Sequence, residues 1–189
     1  KQVVEAWRKT VPSEIIPTPP IRKSRKGELQ VERARPRDAE AIAVFINQNS
    51  SSKHKTTRRE IYAIFGEKAI LLLRFKDNIV GLLGWQVENL VARVTDMRLD
   101  PQIPLEQGMR AMISEVEKAS RDLQCEACLL FLSPQLAQHE DVLQNLGYQT
   151  KTIRTLGVRA WQDAALESMP PGTVMLFKQL RKDRVLRPV

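Results

Sequence analysis

The chain has 189 residues, of which 42% are hydrophobic and 28% charged, with a net charge of +8. That composition suits one soluble domain with a tail and excludes both two full cores and wholesale disorder. Apolar runs such as Ala69–Leu73 fall far short of the about 20 residues that cross a bilayer.

Charge is concentrated at the start. Residues 1–60 hold 14 Lys/Arg against 7 Asp/Glu, while residues 61–189 hold 16 against 15. The sequence opens on Lys1 rather than Met, as expected of a piece of a longer or processed product. Val3, Val4, Trp7 and Val11 recur at helical spacing in a segment too short to be stable alone, which points to docking through Trp7. Pro17–Pro20 then disfavour helix and keep the chain extended. The block Arg22, Lys23, Arg25 and Lys26 follows. It reads either as a solvated linker or as a contact for an acidic surface, a protein partner or nucleic acid. Residues 1–27 are therefore expected to be a docking segment with a basic, proline-rich arm, and residues 28–189 the folded domain.

From Leu29 the pattern turns globular. Leu29, Val31 and Arg33 alternate as in a strand, Pro36 breaks it, and Asp38 stands at a helix N-cap position. Ala39, Ile42, Ala43, Phe45 and Ile46 form a helical stripe. A loop over Asn47–Ser52 leads to a second helix over Thr57–Phe65, ended by Gly66. Strands over Ala69–Phe75 and Ile79–Val87 flank the polar turn Lys76-Asp77-Asn78, a hairpin signal. Leu90–Leu99 alternates Val91, Arg93 and Thr95 against Ala92, Val94 and Asp96. A long helix over Leu105–Leu123 turns Met109, Met112, Ile113 and Val116 to the core. A buried strand (Ala127–Leu132), a helix (Gln135–Leu146) capped by Gly147, a polar strand (Gln149–Thr155), a helix (Trp161–Ser168) and a strand (Val174–Gln179) complete an alternating α/β order.

Cys125 and Cys128 form a C-x-x-C, but Cys128 opens an apolar run rather than a helix N-terminus. They read as buried structural thiols, with a reducing, cytoplasmic-type compartment as the default. His54 and His139 are the only histidines and do not complete a zinc set, so no metal site is expected. His54 stands in a basic stretch with Lys53, Lys55, Arg58 and Arg59.

The element order resembles the GNAT superfamily of acyl-CoA-dependent N-acyltransferases over about residues 28–181. Val31–Ala39 is similar to the family's first strand and turn, Thr95–Pro101 to its fourth strand, and Leu143–Tyr148 to its late Leu-Gly-Phe helix end. The resemblance implies a single mixed, mostly antiparallel sheet flanked by helices, splayed between the fourth and fifth strands, with the extended N-terminal arm outside it. It also implies that backbone N–H groups of the fourth strand, Leu99 among them, and of the loop before the long helix face coenzyme A.

That loop departs from the family pattern Arg/Gln-x-x-Gly-x-Gly/Ala. Pro104, Gln107 and Met109 stand at its defining positions, and Gly108 is one residue out of register; a one-residue shift of the loop would make Gly108 a cofactor-binding residue beside Leu99, restoring one of the two glycines. Proline has no N–H to offer, and side chains block the approach of a phosphate to backbone. Glu106 adds a repulsion of about 1–4 kcal/mol at 4 Å, depending on the dielectric. The family's acid Tyr is replaced by Leu143 and its cofactor-holding Asn by Leu136, while Tyr148 falls on the terminal aromatic and reads as packing. Asp96 remains as a candidate base, with Glu88 second. Asp96 can equally be ion-paired to Arg98 on the same face.

Two main readings follow. One is a GNAT-like domain with weak or lost acetyl transfer, no cofactor, and a role as a binding or assembly module. The other is an active acetyl-CoA-dependent N-acetyltransferase acting on a peptide or small-molecule amine. A nucleic-acid module using the basic arm is a third.

Overall fold

Two tight turns organise the first half of the sheet. In the computed structural model, which describes residues 28–50 and 52–182, Lys76 and Asp77 both take left-handed backbone angles, φ 47° and 70°. They join β2 (Ala69–Phe75) to β3 (Asn78–Glu88) as a two-residue hairpin with Phe75 opposite Asn78. Asn89 and Leu90 do the same between β3 and β4 (Val91–Leu99). Leu90 is thus a turn residue rather than the start of the strand. The docking segment and arm, with Trp7, Arg22, Lys23, Arg25 and Lys26, lie outside the described residues.

β1 (Gln30–Arg33) pairs with β2. Asp38 sits in a 3-10 turn, where its carboxylate accepts from Arg35 N at 2.8 Å and reaches Arg74 of β2 at 3.0 Å. It therefore ties the turn to the sheet and makes no side-chain cap on α1 (Ala39–Gln48). α2 (Arg58–Glu67) begins with a reciprocal cap between Thr57 and Glu60 and runs through Gly66, ending at Lys68 in extended backbone. The Thr57 backbone and hydroxyl, with His54 at 2.8 Å, hold the Glu60 carboxyl at about 2.

After β4 come α3 (Leu105–Asp122) and β5 (Ala127–Leu132). The expected helix over Gln135–Leu146 is instead two short ones, α4 (Pro134–Ala137) and α5 (Glu140–Asn145), because His139 leaves helical angles at ψ 56°. Gly147 closes α5 at φ 85°, a conformation that favours glycine. The expected polar strand shortens to β6 (Gln149–Thr150), since a 3-10 turn takes Ile153–Thr155. α6 (Arg159–Ser168) and β7 (Val174–Gln179) finish the described chain.

Among the described residues the sheet order is β1-β2-β3-β4-β5-β7-β6, parallel only between β4 and β5. α3 covers one face with Met109, Met112, Ile113 and Val116, against Leu71 and Leu73 of β2 and Cys128, Leu130 and Leu132 of β5. The opposite face carries α1 and α2 over Ile70 and Leu72, and α6 over Leu129 and Phe131. Each large side chain buried this way contributes about 1.5–3 kcal/mol. No described helix is long and apolar enough to cross a membrane.

Candidate functional site

β4 and β5 share only four paired positions, Val91–Val94 with Ala127–Leu130. β4 continues to Leu99 against β3 alone, while Phe131 and Leu132 pair with β7. The two parallel strands thus separate beyond Val94, leaving strand backbone free to pair with a ligand in the opening.

A bulge marks the point of separation. Gly84 of β3 opposes Asp96 and its neighbour Trp85 opposes Val94, so Thr95 is the extra residue. The consequence is a shift of phase. Val94 and Met97 are three residues apart yet both face the α3 side, which strict alternation forbids. Thr95, Asp96 and Arg98 consequently all project from the other face. The uninterrupted alternation expected from sequence fails beyond Val94.

Asp96 lies at the opening with its side chain 34% exposed, 3.3 Å from Arg98 Nε, so the same-face ion pair forms. Lys68, just after α2, donates from Nζ to Thr95 Oγ1 at 3.1 Å. Its stem crosses Gly84, where an added Cβ would come within 3.1 Å of Lys68 Cδ. Sequence reading missed Lys68. The available signal was a glycine within an otherwise apolar strand, which marks a close approach.

Glu88 sits at the far end of β3, opposite Val91. That is four residues from the partner of Asp96, about 13 Å along a strand, and its carboxylate pairs with Arg93. It is no base for the opening. Arg93, only 2% exposed, also reaches Ser168 and Glu167, so it fastens α6 to the β3–β4 hairpin.

The other side of the opening is the start of α3. Pro104 precedes it without a side-chain cap, and the N–H groups of Leu105, Glu106 and Gln107 have no acceptor within the helix. Gly108 N donates to Pro104 O at 3.1 Å. A Cβ on Gly108 would stand 2.8 Å from Leu99 Cδ2 and 3.4 Å from Leu73 Cδ2. This glycine therefore lets helix and sheet approach, and the Leu99 side chain fills the contact. Glu106 pairs with Arg110 at 3.0 Å, which offsets part of its repulsion toward an anion. A cavity of about 590 Å³, lined by Phe75, Ile103, Pro104 and Gln107 among others, includes Leu29 and so extends along the β1 flank of the start of α3.

The two other substituted positions are apolar in place as well. Leu143 is fully buried in the core, and Leu136 packs against it. Tyr148 is buried with its hydroxyl beside Cys128 and Glu117. Burial first, then those two groups, push it well above the ordinary tyrosine value. Burial also pushes the Cys128 thiol up to about 12 and Cys125 to about 11, so both are free, inert thiols. Lys178 of β7 donates to both Glu117 oxygens at 2.7 and 2.8 Å and to Leu146 O at 2.5 Å, tying α3, α5 and β7 together. No group of metal-ligating side chains occurs among the described residues.

No protein-family model and no curated protein matches the chain. Solved structures do. A GNAT-family acetyltransferase from Staphylococcus aureus Mu50 aligns at TM-score 0.61 and 15% identity, over 82% of this chain and all of that one. The ribosomal-protein-S18-alanine N-acetyltransferase from Escherichia coli aligns at 0.60 and 12%, over 84% and 97%. A putative acetyltransferase from Salmonella typhimurium, solved with its cofactor acetyl-CoA, aligns at 0.60 and 11%, over 85% and 99%. The chain has the GNAT fold.

Proposed function

We propose that this domain keeps the cleft of the GNAT fold as a binding or assembly site while acetyl transfer is weak or lost. The observation that carries the reading is the start of α3. Pro104 supplies no N–H there, and Gln107 carries a side chain at a position where the family pattern has glycine. Gly108, the one glycine near that position, is spent on packing against Leu99. The absence of a proton donor at the buried Leu143 supports the same reading, since a leaving thiolate would find no acid there. On this reading the domain needs no cofactor of its own. A protein partner engages Trp7 and the basic residues Arg22, Lys23, Arg25 and Lys26, in a reducing compartment that suits two free buried thiols.

One observation favours active N-acetylation of an amine instead. Asp96 remains a third exposed on the open half of β4, where a base could take a proton from an acceptor, directly or through water. Leu99 backbone and the three free N–H groups of α3 would then hold acetyl-CoA.

Calorimetric titration of the folded chain with acetyl-CoA and with coenzyme A separates the two. No heat at millimolar ligand is the expected result. Low-micromolar binding, followed by thiol release with an amine acceptor that disappears in Asp96→Asn, would overturn the proposal.

A further inference from the structure

The cation at the bulge is built in rather than left over. Lys68 leaves α2 in extended backbone and lays its stem over Gly84, the one residue type that leaves room for it. Its ammonium reaches Thr95 Oγ1, a neutral acceptor, at 3.1 Å. Among the described residues no carboxylate lies within 4 Å of Lys68 Nζ, and the nearest in sequence to Thr95, Asp96, is turned to Arg98. A threonine hydroxyl that accepts from lysine still has its own hydrogen to give, and the ammonium has two more. Lys68 and Thr95 therefore present two neighbouring donors at the mouth of the β4–β5 opening, on the side away from α3.

We infer that Lys68 Nζ and Thr95 Oγ1 form a carboxylate-binding pair, one donor to each carboxylate oxygen. The charge balance selects the ligand class. Lys68, Arg98 and Asp96 sum to a net charge of +1, which one carboxylate cancels and a phosphate dianion exceeds, and the two donors match the two oxygens of a carboxylate. Arg98 neutralises Asp96 and keeps its repulsion of the monoanion small. The inference rests on the cleft being a binding site and not on acetyl transfer, so it is tested without coenzyme A.

The test is a titration of the isotope-labelled chain followed by amide chemical shifts at constant ionic strength. Sodium acetate is the small-molecule arm, and a short peptide with a free C-terminus, set against its C-terminal amide, is the polypeptide arm. Acetate should shift Lys68, Thr95 and Asp96 saturably, with acetamide inert. Tighter binding of the free-acid peptide than of acetate would identify a polypeptide C-terminus as the source, and the reverse a free small carboxylate. Lys68→Met and Thr95→Val should each weaken binding roughly tenfold or more, the usual loss for a hydrogen bond to a charged group. Lys53→Met, on the exposed loop, should leave it unchanged. Gly84→Ala, which crowds the Lys68 stem, offers a second route to the same loss in a chain whose lysine is intact. Shifts no larger than those caused by chloride, equal binding by Lys68→Met, or tighter binding of inorganic phosphate would each overturn the assignment. An acetyl-CoA result of either sign leaves this test standing.

Discussion

The two ends of α3 are built in opposite ways. At its C-terminal half Glu117 is buried and held by Lys178, with Arg121 adding a contact one turn on at 2.9 Å. Tyr148 and Cys128 close that end, and Lys178 lies 5.4 Å from the Tyr148 ring centre. At the N-terminal end Pro104 gives no cap, three N–H groups are unclaimed within the helix, and the one ion pair, Glu106–Arg110, is largely exposed. The same helix thus anchors the core at one end and leaves the other adjustable. Changes of residue at the open end should cost the fold little, so a scaffold of this kind can persist while its loop varies.

The largest test of this contrast is Lys178→Met. Breaking a buried pair leaves Glu117 uncompensated, and denaturant unfolding should report a loss of about 3–5 kcal/mol. Replacing both partners by apolar residues should restore most of it, and failure to do so would show that Leu146 O, which also loses its donor, matters more. Gly108→Ala comes next, at about 1–3 kcal/mol for overpacking against Leu99. A neutral result there would mean that the helix start shifts freely, and Gly108 would return as a candidate for ligand contact. The smallest effect is Glu106→Gln. Removing a negative charge from a helix N-terminus and breaking an exposed pair should cost about 0.3–1 kcal/mol in thermal unfolding.

Thiol chemistry sharpens the comparison from another side. With Cys125 and Cys128 held up at about 11 and 12 by burial, alkylation at pH 8 should be negligible in the folded chain. It should follow the opening of the structure, accelerating in Lys178→Met and hardly at all in Glu106→Gln. Fast labelling of the wild-type chain would contradict a closed C-terminal end.

Much of this architecture was legible before any coordinates. The apolar run Ala69–Leu73, the 3.6-residue stripe of α3 and the polar Lys76-Asp77 turn are local signals, and local signals survive folding. What escaped were features created by contact between distant segments. Gly108 looked like the remnant of a phosphate loop because a glycine that admits a ligand and one that admits a leucine lack the same Cβ. Glu88 looked available because nothing in its neighbourhood announced that Arg93 would be buried beside it. The bulge had one trace in the sequence, the three-residue spacing of Val94 and Met97. It was masked by Val91, Arg93 and Thr95, which continue the earlier phase. Lys68 could be assigned only once Gly84 was seen beneath it.

The extra residue in β4 acts as a frame shift written into a strand. Up to Thr95 the odd-numbered positions belong to the face away from α3, and after it they belong to the α3 face, so one continuous strand reads out two different codes. Deleting Thr95 would remove the bulge and leave Asp96, Met97 and Arg98 on the faces they now occupy, while taking away the hydroxyl that meets Lys68. A deletion of one residue at the bulge should therefore be less damaging than the same deletion at a regularly paired position such as Ala92, where every following side chain would change face. Away from the bulge, insertions and deletions rather than substitutions are the changes this strand can least absorb.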